Sequence, residues 1–503
     1  MLRGVRFVAI ALVVGVAVLV IRAHAGQSSE TPEIQLQLGT LLLDQGRYFD
    51  SFQALGHAVR SNDADVVRRA RPGFILSSLQ LAEFDVARAE ADALVKSDPD
   101  DADVAALHGD ALWAQGLFES AEAEYERSLA LAPNLARGHH GMARSLLARS
   151  RLDAAMVEAQ TALANAPRDL EIHHTVGSIY ERMHRFEEAA SAFGNYVNLL
   201  PNRDSSDKAN WSRAEIRFLQ SFGSRVPYES ESEEDDEVYT VPFRLEKDKI
   251  LVQARVNGAS PQEFVVDTGS ENTVINGRTA ERMHIVPVTN TLSAGVGEVG
   301  LRGLQLARID TLEVGTMKLH NVPCIIKNPP LRDIPTREAE SFSPLALGYS
   351  MVIDYQAQTL SFGKHLPQEV ADFELPLRLY RLATVAGTVD GLHPTSFVVD
   401  TGGQVISISQ ATAALLDRPQ NERRIALQVY GTSGWDRDAF LLPGVNLAFD
   451  RIHYDNYSVV VLDLYAPSAL LGFKLGGIVG HHFLSRYRVG IDLERSVLRL
   501  KRA

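Results

Sequence analysis

The hexapeptide Phe264–Gly269 (FVVDTG) recurs as Phe397–Gly402, 133 positions later. Each copy is an apolar, β-branched run ending in Asp-Thr-Gly, the pattern of a buried strand entering a tight turn. A carboxylate at the end of a buried strand is poorly hydrated. Two of them brought together resist ionising together and share a proton across the pair. Asp267 and Asp400 are therefore candidates for an acid–base dyad that activates water.

The duplication extends beyond the hexapeptide. Leu312–Asn321 aligns with Leu447–Asn456 at an offset of 135, and the segment from Ile353-Asp354 to Leu360 aligns with that from Ile491-Asp492 to Leu498 at 138. Landmarks at a nearly constant offset mean two copies of one β domain, 239–365 and 374–503. From Val238 onward the chain reads as short strands separated by Gly, Asn and Asp turns. The connection between the copies, 366–373, is short. Pairing within one chain therefore costs less entropy than pairing between chains. Dyads between two chains, Asp267 with Asp267 and Asp400 with Asp400, are the alternative geometry.

Each copy runs strand, Asp-Thr-Gly, Gly-rich hairpin, paired strands, apolar-apolar-Gly element and closing strand. This order resembles the retropepsin-like aspartyl protease family, and the two-in-one-chain layout resembles pepsin-like enzymes. The resemblance implies a duplicated all-β fold with both Asp-Thr-Gly turns at a pseudo-twofold axis, where Asp267 and Asp400 form the dyad. It implies that Thr268 and Thr401 hydrogen-bond across the axis. It also implies that Gly269 and Gly402 let the backbone turn beside the carboxylates, and that Ser270 hydrogen-bonds Asp267. The hairpins Ala294–Gly303 and Tyr430–Trp435 are candidate flaps, with Tyr430 as a flap residue; an ordinary exposed hairpin is the plain alternative. In the second lobe the apolar-apolar-Gly element is Ile478-Val479-Gly480, and His481–Tyr487 reads as a short helix. The first-lobe counterpart is expected at Ala346-Leu347-Gly348. Gly348 stands six positions before Asp354, against twelve from Gly480 to Asp492, so a trimmed first lobe is expected.

Residues 30–225 read as helices. Prolines stand at 99, 133, 167 and 201, a period of 34. Gly109, Ala143 and Gly177 keep the same register, as do Ala87, Ala121, Ala155 and Ala189, and Phe84, Phe118, Leu152 and Phe186. Small residues let two helices approach, and each proline ends the second helix of a pair. This pattern resembles the tetratricopeptide repeat, an all-α solenoid whose members usually bind peptides or proteins in a concave groove. Residues 34–60 form a further repeat two residues out of register, and the helix around Asn210–Phe222 is expected to cap the array. The repeats read either as a scaffold or as a recruiter of protein substrate. The histidine pairs His139-His140 and His173-His174 read as groove-lining residues rather than metal ligands.

The N-terminus has Arg3 and Arg6 before an apolar run, Phe7–Ile21, and Ala23-His24-Ala25 fits a cleavage site. Residues 1–25 are expected to be a cleaved export signal, because fifteen apolar residues fall short of the ~20 that span a bilayer. An uncleaved anchor is the alternative, and no other membrane span is expected. The lone Cys324 excludes an intrachain disulfide and reads as a core residue. A periplasmic or secreted location follows. Glu229–Glu237 carries seven acidic residues and two serines, so 226–238 reads as a solvated linker. The net charge of -13 argues against a nucleic-acid partner. No HExxH, GxSxG or phosphate-binding glycine loop occurs, so neither metal nor cofactor is expected. Two functions follow: an exported aspartic endopeptidase acting on peptides or proteins, or a peptide-binding scaffold without turnover.

Overall fold

The computed structural model describes residues 31–502 apart from 233–236, 295–300, 328–339, 417, 419–423 and 432–433. The expected signal, 1–25, lies outside the described residues. Contacts divide the chain into two units, 1–74 and 75–503. The first holds helices α1 (Pro32–Asp44) and α2 (Tyr48–Ala58) and the start of α3 (Ala64–Gln80). Gly46, at φ +70°, makes the turn between α1 and α2, a conformation that favours glycine.

The second unit continues the helices as α4 (Phe84–Ser97), α5 (Ala102–Ala114), α6 (Phe118–Leu131), α7 (Ala136–Ala148), α8 (Leu152–Asn165), α9 (Leu170–Arg182), α10 (Phe186–Leu199) and α11 (Asp207–Gln220). Helices α4, α6, α8 and α10 each end two residues before one of the periodic prolines. The small residue of the first helix makes room for an aromatic ring of the second. A Cβ on Gly109 would lie 2.5 Å from the Tyr125 ring, and one on Gly177 would lie 2.6 Å from the Phe193 ring. The first helices α5, α7 and α9 touch one another across repeats and so form the inner face of the solenoid. His139 and His173 each approach a carbonyl of the preceding turn, Pro133 O at 2.8 Å and Pro167 O at 3.0 Å. His140 instead meets Thr175 Oγ1 at 2.8 Å, and the His174 ring lies against Phe193 and Tyr196.

Two β lobes follow, and the duplication reaches individual backbone angles. Asn257 and Asp390 (φ 49° and 50°), Asn321 and Asn456 (54° and 51°), and Gln358 and Ser496 (51° and 56°) are left-handed pairs. In each lobe the strand carrying the Asp-Thr-Gly turn, Gln262–Val266 or His393–Val399, pairs in parallel with a short strand, Glu340–Phe342 or Gly477–Val479. The lobes join edge to edge where Met351, Val352 and Ile353 pair antiparallel with Ile491, Gly490 and Val489. The closing strands Thr359–Gly363 and Val497–Arg502 flank this junction.

The register corrects the expected first-lobe element. Phe342 pairs with Val266 as Val479 pairs with Val399, so the counterpart of Gly477–Val479 is Glu340–Phe342, not Ala346-Leu347-Gly348. A 3₁₀ turn, Pro344–Leu347, stands where the second lobe has the helix His481–Leu484. Phe342 lies twelve positions before Asp354 and Val479 thirteen before Asp492, so the first lobe keeps this element and is not trimmed there. The acidic segment also departs from a purely solvated linker. Glu229 and Ser230 pair with His320 and Leu319 of the first lobe, and Glu231 meets Lys318 at 2.7 Å and His320 at 2.8 Å. Cys324 is fully buried in the core of this lobe, and burial pushes its thiol pKa up.

The repeats of the second unit pack against both lobes. Tyr380, at the tip of a second-lobe hairpin, lies edge-on to Trp113 of α5 (5.3 Å between ring centres), while Arg182 of α9 donates to Leu379 O at 3.2 Å. The inner face of the solenoid therefore receives the second lobe. Phe473 meets Phe118 at 5.0 Å, Lys474 pairs with Asp85 at 2.9 Å, and the buried Arg378 pairs with Glu119 at 3.0 Å. At the other end, Leu306 of the first lobe is buried with Phe186, Phe218 and Phe222, and Arg217 of α11 donates to Thr289 Oγ1 at 3.2 Å. Among the described residues no helix is long and apolar enough to cross a membrane.

Candidate active site

Each aspartate is held by the same backbone contacts. Asp267 N donates to Phe342 O at 3.0 Å and Asp400 N to Val479 O at 3.1 Å. The carboxylates then accept from the glycine amide two residues on, Gly269 N at 3.0 Å and Gly402 N at 2.7 Å. The threonines interlock the turns. Thr268 N donates to Thr401 Oγ1 at 3.1 Å and Thr401 N to Thr268 Oγ1 at 3.0 Å. Each hydroxyl in turn donates across the axis, Thr268 to Val399 O and Thr401 to Val266 O, both at 2.7 Å. Both threonines are buried, and these four bonds satisfy polar groups that would otherwise be costly there.

The glycines bring the carboxylates together. A Cβ on Gly402 would lie 2.6 Å from Asp267 Oδ1 and 3.0 Å from Asp400 Oδ1; one on Gly269 would lie 2.7 Å from Asp400 Oδ1. No other side chain fits at these two positions without displacing a carboxylate. Asp267 and Asp400 thus meet within one chain, which replaces the interchain alternative. Burial first, and then the charge of Asp267, push the Asp400 carboxyl up to about 7. Lys249 and the amides of Gly403 and Gly402 oppose that rise. A pair arranged in this way holds one proton between its members near neutral pH.

Ser270 departs from the expected contact. Its hydroxyl donates to Asn272 O at 2.8 Å, so its single proton is directed away from Asp267. The first-lobe flap strands, Thr289–Ala294 and Leu301–Val314, pair from Thr289↔Leu306 to Ala294↔Leu301; the tip, 295–300, lies outside the described residues. In the second lobe Tyr430 pairs with Trp435 through the backbone, and the Tyr430 side chain lies outside the description.

Five further residues join the site from hairpins and turns. Arg381 donates to Glu271 Oε2 at 2.8 Å, Gln404 donates to Lys247 O at 3.3 Å, and the Lys249 ammonium donates to Gly402 O. Glu271 and Gln404 each stand four residues after their aspartate, so each lobe's hairpin tip grips the turn of the other lobe. Carrying the 133-residue offset upstream of the aspartates would have paired Asp248 with Arg381 and Lys249 with Leu382.

A family model described as "Aspartyl protease" matches residues 252–350 and again 385–483, which span Asp267 and Asp400. A tetratricopeptide repeat model matches 75–136. No curated protein matches the chain. Several solved structures are similar to part of it. A thermophilic tetratricopeptide-repeat protein of Thermus thermophilus is 20% identical over 37% of this chain and 99% of its own, with a TM-score of 0.32. MamA from Desulfovibrio magneticus RS-1 is 17% identical over 36% and 100%, with a TM-score of 0.25. A human IFIT1 dimer is 19% identical over 39% and 47%, with a TM-score of 0.32. At these scores the structural likenesses carry no argument.

Proposed function

We propose that this chain, built from tetratricopeptide repeats and two aspartyl-protease domains, is an exported aspartic-type endopeptidase working through an intramolecular Asp267/Asp400 dyad. The observation that carries the reading is the mutual locking of the two Asp-Thr-Gly turns, with each glycine backed onto the opposite carboxylate. The ionised carboxylate takes a proton from a water held between the pair, and the water oxygen bonds to the peptide carbonyl carbon. The protonated carboxyl gives its proton to the carbonyl oxygen, which spreads the developing charge. The tetrahedral intermediate then breaks its C–N bond as the carboxyl protonated by the water gives that proton to the leaving nitrogen. The other carboxylate takes a proton from a hydroxyl of the intermediate, so that the carbon becomes a carboxylic acid and the dyad is left singly protonated. The export assignment rests on the N-terminal sequence, and N-terminal sequencing of the mature protein tests it.

The alternative, a cleft that binds peptide without turnover, drew support from a shortened first lobe; the strand Glu340–Phe342 and the turn after it remove that support. Because the inner face of the repeats receives the Tyr380 hairpin, their proposed role is to position the second lobe and its partner-facing edge rather than to hold substrate in that groove. The deciding experiment is cleavage of a mixed peptide library by the mature chain from about pH 3 to 7, with a statine-type inhibitor as control. Asp267→Asn and Asp400→Asn are each expected to lose turnover by a factor on the order of 10³ or more. Wild-type protein that is folded and cuts nothing would overturn the reading.

A further inference from the structure

The hairpin that presents Lys249 has no chemical equivalent in the other lobe. Its turn residues Lys247 and Asp248 are left-handed, at φ 50° and 62°. The turn projects the start of the strand Lys249–Val256 toward the second-lobe turn. Register fixes the mirror position: Val252 pairs with Phe264 as Val385 pairs with Phe397, so Lys249 corresponds to Leu382. At this matched position one hairpin offers a cation and the other an apolar side chain; the cation of the second-lobe hairpin, Arg381, stands one position earlier and is engaged by Glu271.

We propose that Lys249 is a positioning residue that breaks the symmetry of the dyad, pinning the second-lobe turn through Gly402 O and setting a positive charge on the Asp400 side. The inference rests on the dyad reading above. The titratable groups that feel this ammonium are Asp400 on the second-lobe turn and His481 on the helix after Val479, and Asp248 of its own hairpin faces His481 and His482. Asp248 lies 3.9 Å from His481 Nε2 and 3.6 Å from His482 Nε2. Burial, and secondarily the charges of His482 and Lys249, hold the His481 pKa down, against the pull of Asp248. His481 therefore does not supply the cation near neutral pH, and Lys249 does. An adjacent cation favours the ionised carboxylate, and Lys249 accordingly opposes the upward shift of Asp400. Its effect is to let Asp400 release its proton at lower pH than burial and the charge of Asp267 alone would set.

The test is the pH profile of kcat/KM for the full mature chain and three variants, each checked for folding by circular dichroism. Lys249→Met removes charge and donor, Lys249→Gln keeps a donor for Gly402 O without charge, and Lys249→Arg keeps both. Met and Gln are expected to move both limbs of the profile upward by about one pH unit, and Arg to retain the wild-type profile. A Gln variant with the wild-type profile would reduce Lys249 to a structural strut and overturn the proposal. The carboxyl ¹³C titrations of Asp267 and Asp400 in wild type and Lys249→Met separate the two readings. If the wild type cuts nothing but the titrations move up in the variant, the peptidase reading fails and the Lys249 assignment stands. If turnover persists and the titrations do not move, the Lys249 assignment falls alone.

Discussion

In the first lobe the turn after Asp267 is gripped by an ion pair, Glu271 to Arg381 at 2.8 Å. In the second lobe the turn after Asp400 is gripped by neutral Gln404 on Lys247 O and by Lys249 on Gly402 O. The bonds that hold each aspartate to its neighbouring strand and lock the two threonines are matched, while the charged groups around them are not. The repeats add to the imbalance. Much of their contact is with the second lobe, through Trp113, Phe118, Asp85 and Glu119, whereas α11 reaches the first lobe at Thr289 and Leu306. Closing a dyad needs backbone symmetry, because both carboxylates must arrive at one point. Peptide hydrolysis needs inequality, because one carboxylate receives a proton while the other gives one.

The strongest way to break this comparison is to cut the second lobe from the repeats. Phe473 is fully buried between Phe118 and Tyr380. Phe473→Ala is expected to cost about 3–5 kcal/mol, read by denaturant unfolding. Leu306→Ala, on the first-lobe side, removes a smaller side chain and is expected to cost less. Equal losses would show that both lobes lean on the repeats alike. A smaller and symmetric effect is expected at the threonines. Thr268→Val and Thr401→Val each delete one donor to a carbonyl and one acceptor of an amide, leaving buried polar groups unpaired. Each is expected to cost about 2–4 kcal/mol, with the two values close together. A large difference between them would mean that one turn is held by its own lobe rather than by the exchange.

What the sequence made legible was local. The repeated hexapeptide, the 34-residue period and the glycine positions act through neighbours in the chain or one repeat away, so pattern alone carries them. The first-lobe strand was missed because it does not look apolar. Glu340 is buried there, with its carboxylate accepting from Asn276 Nδ2 at 2.7 Å and Thr279 Oγ1 at 2.5 Å. An apolar-apolar-Gly template passes over that carboxylate and settles on Ala346-Leu347-Gly348. Lys249 and Arg381 were missed for another reason. Their partners lie 153 and 110 residues away, and nothing in a lysine or arginine beside a turn marks a contact at that separation. Ser270 was assigned a partner by resemblance, but the nearer carbonyl of Asn272 takes its proton. Nothing in the sequence marks Tyr380 or Phe473 as docking residues, since burial against another domain uses the same side chains as burial within one.

The smallest effect concerns the repeat side of the Glu271–Arg381 grip. Burial pushes Glu181 up to about 7 against the pull of Arg381, and burial together with the charge of Glu181 pushes Glu215 up to about 8. Asp400 is raised in the same direction. A carboxyl with a raised pKa stays protonated in the folded protein at pH values where the unfolded chain has already released the proton. The folded state then binds more protons than the unfolded state, and stability falls as pH rises through the folded pKa values. The Tm of the wild type is therefore expected to decline between about pH 5 and 8. Glu215→Gln removes one contributor on the repeat side, and Asp400→Asn removes one at the dyad. Each is expected to flatten the decline by about 2–4 °C, and their effects should add because the sites are held by separate partners. If Glu215→Gln also shifts the pH profile of turnover, the repeats and the first-lobe turn titrate as one network through Arg381. The asymmetry between the lobes would then extend from the dyad into the solenoid.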